Sequence, residues 1–319
     1  MSQELTRRNF VKGSLLTSAG LALAMGEAGR AGAAEAPANP AGAPAPKDAL
    51  PKGKIGKLEV SRILLGGNLL THFTHSRDLR YVYALAAHYN TDAKILETLA
   101  VAEANGVNTL AIHTVPSALK VLKQHRKERG GKMQWIICPT ADIQPGLAQY
   151  SQQVQQLIDD GTDAIYLWGV RADALAGQGK IDLIGKAVEL AKAQGVPSGV
   201  GAHDLNVIKV CEQNKIPADF YIKTLHHHNY PSAKLGHDSM WCSNPQETVD
   251  LMKPVEKPWI AFKVMAAGAI PPKDAFQYVF QNGADFSLAG MFDFEIAEDV
   301  RIAKEVLAAL PQRARPWRG

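Results

Sequence analysis

The sequence predicts an α/β fold, a closed (β/α)8 barrel in a single domain. Three observations carry that reading. Short β-rich runs alternate with helical runs eight times, over about 250 residues, the size and count of such a barrel. Gly often marks the helix ends, and Pro or Asn several helix starts. No GxGxxG follows the first strand, since "LLGGN" lacks the spacing, so an open doubly wound sheet is the weaker alternative.

The units follow in order. "SRILLGGN" (61–68) reads as the first strand, and "DAKILETLAVAEANG" (92–106) as its amphipathic helix. "NTLAIHT" (108–114) precedes "VPSALKVLKQHRKERG", and "MQWIICPT" (133–140) precedes "QYSQQVQQLIDDG". "DAIYLWG" (163–169) precedes "KIDLIGKAVELAKAQG", and "PSGVGAHD" (197–204) precedes "LNVIKVCEQNK". "ADFYIKTLHH" (218–227) precedes "NPQETVDLMKPV", whose start Ser243 or Asn244 would cap. "PWIAFKVMAAGAI" (258–270) precedes "PKDAFQYVFQNG", and "ADFSLAGMFD" (284–293) precedes "FEIAEDVRIAKEVLAAL". Two insertions, 69–91 and 228–243, fall in βα loops, which build the C-terminal face where barrel active sites lie.

Strand side chains alternate in direction, so each strand has an inward set. With bulky residues assigned to the helix-facing side, Ala111 and His113 point inward, as do Tyr166 and Trp168. Gly199, Gly201 and His203 follow on the fifth strand, Tyr221 and Lys223 on the sixth, and Ala261 and Lys263 on the seventh. Continued past Lys223, the alternation turns His227 inward and leans His226 toward the helix layer.

The chain ends read as something other than barrel. "TRRNFVK" carries Arg7 and Arg8 and resembles the twin-arginine export motif, followed by an apolar run from Gly13 to Met25 and small residues around 31–36. That run is short of the ~20 residues a spanning helix needs. The expected organisation is a signal peptide at 1–34, an Ala/Pro-rich spacer at 35–54, the barrel at 55–312 and a tail at 313–319. The resemblance implies the twin-arginine machinery as a partner and a periplasmic or other extracytoplasmic address. It also implies a passenger folded before export, often with its cofactor inserted, and no stable membrane insertion after cleavage. Without residues 1–34, 31 basic and 29 acidic side chains remain, a net of +2, which gives no basic field for nucleic acid. Cys138, Cys211 and Cys242 show no CxxC spacing and form no disulfide framework.

Of ten histidines, eight map to the C-terminal face or its loops: His72, His75, His113, His203, His226, His227, His228 and His237. Only His88 and His125 map to helices. Scattered core histidines would not gather on one face. The expected site is therefore a transition-metal centre, Zn²⁺ first, held by His203, His227, His113 and His75, with Cys242 as a further ligand candidate. Against it stand histidines that only hydrogen-bond substrate or tie turns. Lys223 and Lys263 in a barrel mouth poor in carboxylates would serve as acid/base, oxyanion or Schiff-base groups. Asp78 and Arg77 join them as catalytic candidates, although helix capping by Ser76 or Asp78 also explains that stretch. Trp168, His226, Tyr230 and Trp241 are the substrate-binding candidates, the tryptophans as stacking surfaces.

"KIGKLEVSRILLGGN" and "GADFSLAGMFDFEIAEDV" resemble the opening and closing segments of aldo/keto reductases. The resemblance implies that family's barrel. Its catalytic tetrad of aspartate, tyrosine, lysine and histidine does not carry over. The aspartate falls near Ala111, the lysine near Pro139 and the histidine near Trp168 or Gly169, and no tyrosine follows "AIHT". The expectation drawn from this mismatch is metal-dependent lyase, isomerase or hydrolase chemistry on a small sugar or keto-sugar derivative, with NADP not favoured. An oxidoreductase of the resembled type with tightly bound NADP, or a non-catalytic binding barrel, is the alternative.

Overall fold

The computed structural model describes residues 49–235, 238, 240–310 and 312–319. An antiparallel hairpin opens it, β1 (Lys52–Ile55) and β2 (Leu58–Ser61). Eight parallel strands then close a barrel: β3 (Ile63–Gly66), β4 (Thr109–His113), β5 (Gln134–Cys138), β6 (Ala164–Leu167), β7 (Ser198–Ala202), β8 (Phe220–Thr224), β9 (Trp259–Phe262) and β10 (Phe286–Ala289). Each pairs with the next in sequence, and β10 returns to β3. Right-handed βα crossovers place the helices outside.

The helices are α1 (Arg80–Tyr89), α2 (Asp92–Ala104), α3 (Pro116–Glu128), α4 (Ala148–Asp159), α5 (Gly169–Gly177), α6 (Ile181–Ala193), α7 (Leu205–Gln213), α8 (Pro245–Met252), α9 (Pro272–Gln281) and α10 (Asp293–Ala308). The eight expected units are present. Helix α1 lies inside the first insertion, just after the stretch expected to cap a helix start, and buries only Ala86. Asn244 caps α8 through Glu247 N, as expected. Leu79 precedes α1 without a side-chain cap, so neither Ser76 nor Asp78 fills that role. No helix among the described residues is long and apolar enough to cross a membrane.

The core has two layers. Ile63, Leu65, Leu110, Ile112, Ile165, Leu167 and Val200 face the helices. Inside the barrel Leu64, Ala111, Ile136, Ala164, Phe220, Ile222, Ile260 and Phe286 pack with Ile55, Leu58 and Val60 of the hairpin, which seals the lower end. Two strands thus have the opposite facing from that expected. Phe220 and Ile222 on β8, and Ile260 and Phe262 on β9, point inward, while Tyr221 and Ala261 join the outer core. The reason is volume. Inward-facing Gly199 on β7 leaves a gap that the Phe220 ring fills, and a Cβ at Gly199 would lie 2.5 Å from that ring. A rule that sends bulky residues outward fails where a small neighbour leaves room within.

The lower end is also strapped by the C-terminal residues. Asp285 is fully buried and accepts from Arg315 Nη2 at 2.9 Å, Trp259 N at 2.9 Å and Arg318 N at 2.7 Å. Arg62 donates to Asp285 O and Gly319 O, and Arg62 and Arg313 both stack on Trp317.

Candidate functional site

At the upper end the first loop (67–79) crosses the barrel mouth and meets the sixth (225–244). His75 is where they join. Its Nδ1 donates to Asp238 Oδ1 at 2.9 Å, and Ser76 N donates to Asp238 Oδ2 at 3.1 Å. Its Nε2 lies 2.6 Å from Lys263 Nζ, just beyond β9. Asp238, His75 and Lys263 therefore form a carboxylate–imidazole–amine chain.

Lys263 reaches the mouth although its strand parity points it away from the axis. Its backbone is left-handed, with φ 57°, and that reverses the direction of the side chain. A non-glycine residue held there stores strain, a common feature of functional sites. The amine sits 3.6 Å from the centroid of the Trp241 ring, with Phe262 behind it. Burial lowers its pKa to about 7, and the Asp238 carboxylate only partly opposes this. Burial, and then the Lys263 charge, hold His75 down at about 4. At neutral pH the imidazole is uncharged, with its proton on Nδ1 facing Asp238, and its Nε2 accepts from the lysine.

A second carboxylate–imidazole pair stands across the indole. His203 Nδ1 donates to Asp173 Oδ2 at 2.8 Å, and His203 N donates to Asp173 Oδ1 at 3.0 Å. The ring orientation is thereby fixed with Nε2 turned from the carboxylate. The His203 ring lies 5.5 Å from Trp241 and 5.3 Å from Phe262. His113 stacks on Trp168 at 6.3 Å and touches Phe73 of the first loop, and burial lowers its pKa. His203, His113, Trp168 and Lys263 all reach the upper end as expected, joined by His75 and Trp241.

Other expected members lie elsewhere. Lys223 is 1% exposed and donates to Thr224 O and Oγ1 on the outer side of β8, a consequence of the inward Phe220 and Ile222. Beyond Thr224 the strand ends and alternation no longer applies. His226 is fully buried, and its Nε2 accepts from Trp241 N at 2.9 Å and Cys242 N at 3.1 Å. It anchors the sixth loop and has no free face for substrate. His227 turns outward onto Tyr278 and Tyr230, away from His203. Tyr230 packs between His226 and His227. His72 donates to Asn90 O and His228 to Cys242 O, both as loop clasps. His237 lies outside the described residues. Arg77 has φ 56° and a buried Nε without a partner among the described residues, and Asp78 is exposed.

The expected transition-metal centre is corrected by this arrangement. Among the described residues no group of three or more His, Cys, Asp or Glu side chains could hold a metal ion. His227 packs on Tyr278 and Tyr230 instead, the Nε2 of His75 lies against Lys263 Nζ, and Cys242 is buried against Thr248. Asp238 and Asp173, which orient the two imidazoles, were not singled out from the sequence. Asp173 lies four positions into α5 and Asp238 within an insertion, and neither has a motif to mark it.

A groove of about 630 Å³ lies away from this chemistry, between α3 and α4, lined in part by Lys120, Lys123 and Lys127. Lys120 and Lys123 pair with Asp92 and Asp160.

No family model and no curated protein matches the sequence. Solved structures do. The holo form of an aldo-keto reductase from Bacillus halodurans superposes with a TM-score of 0.57 at 14% identity, over 84% of this chain and 100% of that one. An aldo-keto reductase enzyme from a Medee basin deep-sea metagenome library gives 0.50 at 12% identity, over 80% and 94%. Identities this low establish the fold, an aldo-keto-reductase-like (β/α)8 barrel. The expectation that metal-dependent chemistry stands ahead of NADP-linked oxidoreduction is corrected, because the solved structures the chain resembles are aldo-keto reductases and, among the described residues, no group of side chains could hold a metal ion.

Proposed function

We propose that the chain is an oxidoreductase of aldo-keto-reductase type that reduces a small carbonyl compound in the barrel mouth. The observation that carries this reading is the Asp238–His75–Lys263 chain, with Lys263 Nζ 2.6 Å from His75 Nε2. It supplies a proton donor where the resembled family's tetrad is missing and Ala111, Pro139 and Trp168 stand instead.

The mouth fits the ring end of a nicotinamide cofactor. Trp241 and Phe262 offer flat faces, and Trp241 Nε1 is a buried donor with no partner among the described residues, open to a carboxamide or substrate oxygen. The first turn of α10 is a poor phosphate seat, because Asp293 and Glu295 occupy it and Glu295 accepts from Phe292 N. When bound, the cofactor supplies the hydride.

The protein's own groups do the rest. An ammonium has three N–H donors. Lys263 gives one to His75 Nε2 and holds its charge against the Trp241 face, and a third is free for the carbonyl oxygen. That bond favours the charge developing on oxygen and ends in transfer of the Nζ proton. His203, its Nδ1 proton tied to Asp173, offers Nε2 as an acceptor. A hydroxyl beside the carbonyl satisfies it, which favours a sugar or keto-sugar derivative. The twin-arginine address belongs to the same proposal and makes the substrate an extracytoplasmic one.

The test is NADPH oxidation with a panel of hydroxycarbonyl compounds, alongside NADPH binding. Lys263→Met is expected to lower kcat/KM by roughly 10²–10⁴ while NADPH affinity stays near that of the native chain. Native protein that binds no NADPH would refute the oxidoreductase reading and leave a non-catalytic binding barrel. Full turnover in Lys263→Met would refute the assignment of the donor.

A further inference from the structure

The proton donor proposed above is also an amine, and its surroundings suit a second chemistry. We propose that Lys263 in its neutral form condenses with small aldehydes to a covalent imine, with His75 carrying the protons. The position is what singles it out. Nζ lies against a base nitrogen at 2.6 Å, that base is backed by Asp238, and the left-handed backbone aims the side chain into a partly open mouth. Among the described residues, the titratable groups facing the amine are His75 from the first loop, Asp238 from the sixth and, across the Trp241 ring, His203 with Asp173. None of these is a carboxylate in direct contact with Nζ, so no ion pair among them locks the amine as a permanent ammonium. Its pKa of about 7 leaves both forms populated at neutral pH.

The step balances without a co-reactant. The Nζ lone pair forms the C–N bond while the carbonyl π pair moves onto oxygen. His75 Nε2 takes a proton from the nitrogen and delivers it to that oxygen. The second nitrogen proton follows the same route as the C–O bond breaks. Oxygen leaves as water, and the nitrogen lone pair becomes the C=N bond. Asp238 stabilises the imidazolium at each transfer, as a carboxylate does for a histidine base. No nicotinamide takes part, so this activity stands or fails separately from hydride transfer.

Lys223 is the internal contrast. It is a buried lysine one strand away, 1% exposed, and its amine is bound to Thr224 O and Oγ1. Burial alone therefore does not expose an amine to a ligand. Lys54 and Lys209 are exposed and serve as the comparison amines.

The experiment uses the folded full chain without NADPH. Glycolaldehyde is added with cyanoborohydride, which reduces an imine to a stable secondary amine, and the adducts are located by peptide mass spectrometry. At pH 7 the adduct at Lys263 is expected to form about a hundredfold faster than at the exposed Lys54 or Lys209. Its rate should rise through pH 7, and Lys223 should stay unmodified. His75→Ala should slow it at least tenfold. Asp238→Asn, which keeps the size and hydrogen-bonding capacity of the side chain, should slow it in the same direction if the alanine variant misfolds. Labelling of Lys263 no faster than of Lys54 and Lys209 overturns the proposal, as does unchanged labelling in both variants.

Discussion

Lys263 carries a consequence for stability as well as for chemistry. Its folded pKa of about 7 lies below its ordinary 10.5, so the unfolded chain binds the extra proton between those values. The penalty for burying the ammonium is complete below pH 7 and fades as pH rises toward 10.5. Lys263→Met is therefore expected to stabilise the fold at pH 6, by on the order of 1–3 kcal/mol, with the difference gone near pH 10.5. Thermal melts across that range check it. His75 and His226 act in the same sense lower down. Both are held near 4 chiefly by burial, so stability should fall as pH drops from 6.5 to 4. Removing the His226 ring leaves Trp241 N and Cys242 N without their acceptor, and His226→Ala should cost about 2–4 kcal/mol in denaturant unfolding. At this scale the sequence was legible only where alternation was secure. His113, Trp168 and His203 follow from it. Lys223 does not, because Phe220 and Ile222 take the inward positions of its strand, and His227 does not, because it lies beyond the strand's end. Asp173 and Asp238 reach their histidines from 30 and 163 residues away, distances over which no local pattern speaks.

Among the elements, β7 and β8 show what bulk alone conceals. Gly199 and Phe220 are a matched pair inside the barrel, and the ring occupies the space a side chain at 199 would take. Gly199→Ala should destabilise the native chain by about 1–3 kcal/mol. In a Phe220→Ala background, itself costing about 3–5 kcal/mol, that added cost should nearly vanish. The double-mutant cycle measures the coupling, and additive costs would contradict this packing of Phe220 against Gly199. Helix α1 was legible only as a start near Ser76–Asp78; it lies within the first insertion and buries only Ala86, so packing on the barrel does little to mark its extent. The first and sixth loops were recognisable as functional from their length, but their meeting at His75 and Asp238 depends on tertiary contacts.

For the whole molecule, the eight-unit periodicity made the barrel legible, while the closures at its two ends were not. The β1–β2 hairpin uses four-residue strands, too short to stand out. The C-terminal strap reads as a polar tail until Arg315 and the Arg318 amide are placed on buried Asp285. Asp285→Ala should cost about 3–5 kcal/mol, since it strands the Arg315 guanidinium in the protein interior, and a fall in Tm with the loss of the strap's protection in hydrogen exchange would show it. At the opposite end the same barrel brings two imidazole–carboxylate pairs and one lysine around Trp241, and that grouping is the basis of the proposed function. The most direct measurement is the pH profile of kcat/KM for NADPH-dependent reduction of a hydroxycarbonyl substrate, native chain against Lys263→Met. The expected result is a native rate that falls as pH rises through about 7, where the Lys263 ammonium is lost, and a variant that is slow and flat across the same range. A variant that keeps the native rate and its pH limb would contradict it.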